Sequence, residues 1–114
     1  MKLFADPTAA HWLQEFVPDP DAFDWDKGNV TKNIKHGYSI DEIESIFWQR
    51  EYIFAGRITE PSHEEWRGLI LGMTDIGRLT ALIFTRRGEK VRPISCRAMR
   101  ENERRLYEKT IQKE

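Results

Sequence analysis

Ile40, Ile43, Ile46 and Phe47 recur at spacings of three and four, so they share one face of a helix. Ser39 precedes them and Glu42 follows Ser39 by three positions, which predicts a capping box at the start of that helix. After Arg50 the period changes. The stretches EYIFAGRI and EEWRGLILGM are rich in aromatic and aliphatic residues. RLTALIFTRR follows a turn at 74–77, and GEKVRPIS follows a turn at Gly88. The last three of these runs are predicted as successive antiparallel strands joined by short hairpins. Pro93 has no amide hydrogen, which places its strand at a sheet edge or leaves that position unpaired. Residues 98–113 return to a helical composition, with Met99 and Leu106 on the packed side.

Upstream the pattern is more broken. DPTAAHWLQEF predicts a short helix capped by Asp6, with Pro7 at its first position. VPDPDAF is a linker, because prolines and aspartates interrupt any period. FDWDKGN alternates Phe23 and Trp25 with Asp24 and Asp26, as in a very short strand. Residues 27–35 are predicted helical, with Gly37 as the stop. The order describes an α+β domain: an antiparallel meander with N-terminal helices and a C-terminal helix, the helices lying on one face of the sheet. Residues 1–22 are read as an N-terminal extension and 23–114 as the main domain.

Composition narrows the class. Four tryptophans and 39% hydrophobic residues supply enough apolar surface for a folded core. Cys96 stands alone, which excludes a disulfide within the chain and a zinc site built on several thiolates. A single thiol suits a reducing cytoplasm. No apolar run approaches the roughly 18 residues of a membrane helix. The segment MKLFADPTAAHW lacks the continuous apolar stretch of a secretion signal.

Charge is the more informative quantity, because its distribution is uneven although the net value is −1. Within residues 1–26, Lys2 faces Asp6, Glu15, Asp19, Asp21, Asp24 and Asp26. Within residues 86–105, eight Lys and Arg side chains face Glu89, Glu101 and Glu103. Such asymmetry is either a polyanion-facing surface or a solvated helix face.

Several segments in order resemble the BrnT family of ribonuclease toxins from bacterial type II toxin–antitoxin pairs. They are FDWDKGN, then KNIKHGYSIDEIESIF, then Glu64, Glu65, Arg67 and Gly72, then IFTRRGEKVRPISCRAMRENERRLYE. The similarity runs over roughly 23–109. The extension, Trp66, Pro93 and Cys96 depart from the pattern. The resemblance implies an RelE-like α+β fold and a metal-independent ribonuclease without a cofactor. It also implies a partner: a BrnA-like ribbon-helix-helix antitoxin that binds DNA, in a heterotetramer with two copies of each chain. A relative that has lost catalysis and only holds its antitoxin is the alternative reading. A direct DNA-binding regulator is a third, without a helix-turn-helix signature to support it.

Metal-free RNA cleavage uses the ribose 2′-OH as nucleophile and gathers negative charge on the phosphoryl oxygens, where arginine forks are effective. Arg67, Arg87 and Arg97 fall on or beside neighbouring predicted strands and are expected to converge on the scissile phosphate. Arg86, Arg92, Arg100 and Lys35 are candidate RNA contacts. Glu65 and Glu64 are candidate bases or ordinary solubilising residues. His36 either titrates usefully near neutral pH or caps a helix end. Tyr107 either donates its hydroxyl to the phosphate or sits at the rim of the core. The expected site therefore crosses the last strands and the first turn of the closing helix.

Overall fold

The apolar alternation after Arg50 builds most of an antiparallel sheet. The structure, a computed structural model, describes residues 1–112. Strands β1 (Lys2–Phe4), β2 (Tyr52–Glu60), β3 (Gly68–Met73), β4 (Leu79–Arg87) and β5 (Lys90–Ala98) lie side by side in chain order. Helices α1 (Pro7–Glu15), α2 (Lys27–Lys35) and α3 (Ile40–Gln49) precede the meander, and α4 (Glu101–Gln112) closes it. Among the described residues, no helix is long and apolar enough to cross a membrane.

Helices cover both faces of the sheet, not one. Ile43, Ile46 and Phe47 of α3 pack with Ile70, Leu82 and Phe84 on the first face. Leu13 and Phe16 join that core from the N-terminal segment. Tyr107 of α4 packs with Leu69, Leu71 and Ala81 on the second. The strands are apolar on both sides, with β3 buried from Gly68 to Gly72, so a single helical layer would leave one face wet. Leu106 is 46% exposed, and Tyr107 takes the packed position on α4 that was expected for it.

Two local expectations also change. The capping box forms at α2, where Asp26 accepts from the Gly28 and Asn29 amides and the Asn29 side chain accepts from the Asp26 amide. At α3, Ser39 Oγ accepts from the Glu42 amide, but the Glu42 carboxylate accepts from Arg78 instead of returning to its own helix. FDWDKGN does not run as a strand: Phe23 makes one parallel bridge to Val91, and Asp26 then turns the chain into α2.

Pro93 does lie on an edge strand, β5. A bare edge invites pairing with another chain. Here α2 covers it with two asparagines. Asn29 donates to the Pro93 carbonyl at 2.8 Å. Asn33 donates to the Ile94 carbonyl at 3.3 Å and accepts from the Cys96 amide at 2.8 Å. Asn33 is 1% exposed, so Asn33→Ala strands a buried amide and a carbonyl. The expected loss is about 3 kcal/mol, read by thermal or denaturant melting. A loss under about 1 kcal/mol would show that Asn29 and packing suffice to hold α2 on β5. Cys96 lies beneath this ladder, where burial pushes its thiol pKa up to about 12 and keeps it an inert apolar side chain.

Candidate functional site

The loop from 61 to 67 is the part of the chain that brings an acid to the arginines. It is pinned at its end: Thr85 Oγ1 donates to the Trp66 carbonyl, and the Ile58 amide donates to the Arg67 carbonyl at 2.8 Å. Trp66 then folds its indole over Gly68, where a Cβ would lie 2.6 Å from the ring. Only a glycine permits that approach. The Trp66 ring stacks on Phe54 and meets Phe84 edge-on, with centroids 6.2 and 5.5 Å away. Its neighbours Glu65 and Arg67 are half-buried and line a cleft at the end of the sheet.

There the Glu65 carboxylate bridges two guanidinium groups. Oε2 accepts from Arg87 at 3.0 Å, and Oε1 lies 3.6 Å from Arg67. Arg67 Nε is buried and has no hydrogen-bond partner among the described residues. Arg92 stands beside them on β5, held by Asp26 at 3.0 Å and Asp24 at 3.5 Å. The Arg92 hydrogen bond keeps the Asp26 carboxyl below the usual carboxylate range, aided by the Asn29 amide. Lys32 of α2 lines the facing wall, and the cleft, open to solvent, has a volume of about 230 Å³. Three arginines, a lysine and the Glu65 carboxylate thus line one cleft. A phosphate entering the cleft would meet donors already fixed in place by Glu65, Asp24 and Asp26.

Arg97 is not among them. It pairs with Ala81 in the ladder, whereas Arg87 pairs with Lys90. Six strand positions separate Ala81 from Arg87, or about 20 Å. The Arg97 fork is occupied by Glu103 at 2.7 and 2.8 Å. Burial pushes the Glu103 carboxyl up, but Arg97 and the Arg100 amide outweigh it and hold it below its ordinary range. The expected convergence of Arg67, Arg87 and Arg97 is therefore corrected to Arg67, Arg87 and Arg92. The first turn of α4 is likewise replaced by α2 as the wall of the cleft.

The remaining candidates disperse. Tyr107 is buried, and its hydroxyl donates to the Glu51 carbonyl at 2.7 Å. His36 ends α2, where its backbone amide donates to the Asn33 carbonyl. Its imidazole and Lys35 line the outer side of α2 together with Lys32. Arg86 points to the other side of the sheet, stacks 4.4 Å over Trp12 and pairs with Glu89 at 3.0 Å. Arg100 and Glu64 are exposed. Sequence reasoning missed Lys32. Gly28 and Lys32 are four apart on α2, so they share a helix face, and that spacing was a usable signal. It also missed that Asp24 and Asp26 serve Arg92, a contact that spans the chain.

Comparison with curated proteins finds no match. A family model described as the ribonuclease toxin BrnT of type II toxin–antitoxin systems matches residues 25–103. The matched span holds α2, the loop with Glu65 and Arg67, and both strands that carry Arg87 and Arg92. It leaves α1 outside. Because the match covers most of the chain and includes every residue that lines the arginine cleft, this chain belongs to the BrnT family of ribonuclease toxins of type II toxin–antitoxin systems.

Proposed function

We propose that this chain is a metal-independent endoribonuclease that cuts RNA through its own 2′-OH, and that a cognate antitoxin holds it inactive. The observation that carries this reading is the Glu65 carboxylate bridging Arg67 and Arg87. A carboxylate there stands where a phosphate would sit. When RNA enters, the phosphate takes the two forks and releases Glu65 as a base beside the ribose. Glu65 accepts the 2′-OH proton as the 2′ oxygen bonds to phosphorus. The bond from phosphorus to the 5′ oxygen breaks, and Lys32 supplies the proton to that leaving oxygen. The products are a 2′,3′-cyclic phosphate and a 5′-hydroxyl. Arg67, Arg87 and Arg92 stabilise the charge on the phosphoryl oxygens. Lys35 and His36 continue the basic path along α2 for the RNA backbone, and Arg86 and Arg100 lie outside the reacting centre. Arg97 and Tyr107 support the fold.

The fold is proposed to be RelE-like and the protein to act in the cytoplasm. The partner is proposed to be a BrnA-like ribbon-helix-helix antitoxin in a heterotetramer, which brings acidic or apolar groups over Arg87 and Arg92. DNA is reached only through that partner. The test is cleavage of single-stranded RNA and of the matching DNA by antitoxin-free protein in EDTA. RNA alone should be cut, with cyclic-phosphate ends, and added antitoxin should stop the cutting. Loss of cleavage in EDTA, or equal cutting of DNA, would remove the 2′-OH mechanism. Absence of cleavage with intact antitoxin binding would leave a binding module.

A further inference from the structure

A second cleft opens at the same end of the sheet, on the side opposite α4. Its volume is about 400 Å³, within the range of small-ligand sites of roughly 300–1,000 Å³. Trp12 of α1 forms one wall, and Trp66 with Phe84 forms another. Glu65 lines this cleft as well as the arginine cleft, so the two are neighbours joined by one side chain.

The N-terminal segment builds this second cleft. Residues 2–4 add β1 to the sheet, and Leu13 and Phe16 anchor α1 in the core. Asp6 Oδ1 accepts from the Ala9 amide at 3.1 Å and caps α1. Asp6 Oδ2 accepts from Trp66 Nε1 at 2.8 Å. The N-terminal segment and Trp66 are thus one device. Trp12 is fixed in turn: Arg86 lies over its ring and its Nε1 donates to Glu89 at 3.4 Å.

The lining says what fits. Flat aromatic walls suit a flat aromatic ligand, and indole or guanidinium planes accept a stacked base. The polar groups at the wall include the carboxylates of Asp6 and Glu65, which disfavour a phosphate and accept from an amino group. We propose that this cleft is a nucleobase subsite: it takes the base next to the scissile phosphate and prefers one bearing an exocyclic amino group. The proposal rests on the ribonuclease reading above for its place beside the cut. It makes α1, which lies outside the family match, a determinant of where the RNA is cut.

The test uses a 2′-O-methyl adenosine hexanucleotide, which lacks the nucleophile and stays whole. It is compared with strands in which one residue at a time is abasic or uridine. Tryptophan fluorescence of the antitoxin-free protein reads the affinity. In the wild type, removing one particular base should weaken binding about tenfold, and uridine there should bind more weakly than adenosine. In Trp12→Leu the intact strand should bind about tenfold more weakly, and the missing base should no longer matter. Thr8 is exposed at the mouth of the cleft, so Thr8→Leu blocks it without disturbing the core and should give the same pattern if Trp12→Leu fails to fold. Equal binding of intact and abasic strands by the wild type overturns the subsite, as does a base penalty retained in Thr8→Leu. Base-blind binding that antitoxin competes away assigns the cleft to a protein segment and also overturns it. Cleavage of unmodified RNA is scored separately. Base-dependent binding without cleavage keeps the subsite and sinks the ribonuclease reading, and cleavage with base-blind binding does the reverse.

Discussion

Arg87→Ala lowers the rate of RNA cleavage by about 10²–10³-fold, the usual cost of one preorganised donor to a developing oxyanion. The side chain is 51% exposed and ends an otherwise complete strand, so the melting temperature should barely move. Arg67→Lys should fall by a similar factor. Lysine keeps the charge but loses the planar fork that presents two donors to one phosphate. Because both arginines contact the same carboxylate and the same phosphate, their effects should not add. Arg105→Ala is the comparison. That side chain is 71% exposed on α4, beside Glu101 at 3.3 Å. It should cleave at the wild-type rate. A similar loss in Arg105→Ala would mean that general electrostatic attraction of RNA explains the arginines and that the cleft is not the reacting centre.

Arg97→Ala should act on stability rather than on chemistry. Its partner Glu103 has a side chain only 10% exposed, so removing the guanidinium leaves a nearly buried carboxylate without its cation. Breaking such a pair costs about 3 kcal/mol. For a domain of this size that is roughly 10 °C in melting temperature. The pH dependence carries a sign that a simple packing defect would not. In the wild type, Glu103 is held below its ordinary range, so its contribution is present above the unfolded carboxylate pKa and is lost as pH falls through the folded value. In the variant, burial acts without Arg97 and raises the carboxyl instead, so the penalty is present at neutral pH and is relieved by protonation. The gap in melting temperature between wild type and Arg97→Ala should therefore narrow between about pH 7 and pH 4. A gap independent of pH would assign Arg97 to packing alone.

Register in β5 is one feature that the sequence does not mark. Period-two alternation puts positions 92 and 97 on opposite faces of a regular strand. In β5 an irregularity lies opposite Ile83 and Phe84: Phe84 pairs with Pro93 and Ile83 with Ser95, so Ile94 is an extra residue. Beyond it, Arg97 returns to the side that Arg92 occupies, but far along the strand and within reach of Glu103. A bulge inserts one residue without a sequence mark of its own, and it sets the face on which Arg97 meets Glu103, while distance along the strand keeps Arg97 from the cleft. Trp66 and Asp6 pose the same difficulty at long range. Their hydrogen bond spans 60 positions, and neither residue announces the other.

The sequence by itself determined the elements that local chemistry controls. Ile43, Ile46 and Phe47 carry their core-facing side in their spacing, whereas Ile40 is only half-buried; Asp6 and Pro7 start α1, and Pro93 lies on an edge strand, where its missing ladder donor is tolerated. The ordered segments from 23 onward also carried the family, since that pattern is a property of residue types in order. Only the tertiary structure decided that α4 crosses to the far face, that α2 and not α4 walls the cleft, and that Glu65 rather than Glu64 joins two arginines. Those outcomes depend on where strands pair and how loops return. The free energy that settles them comes from burial and hydrogen bonds between residues far apart in the chain, to which short-range periodicity is blind.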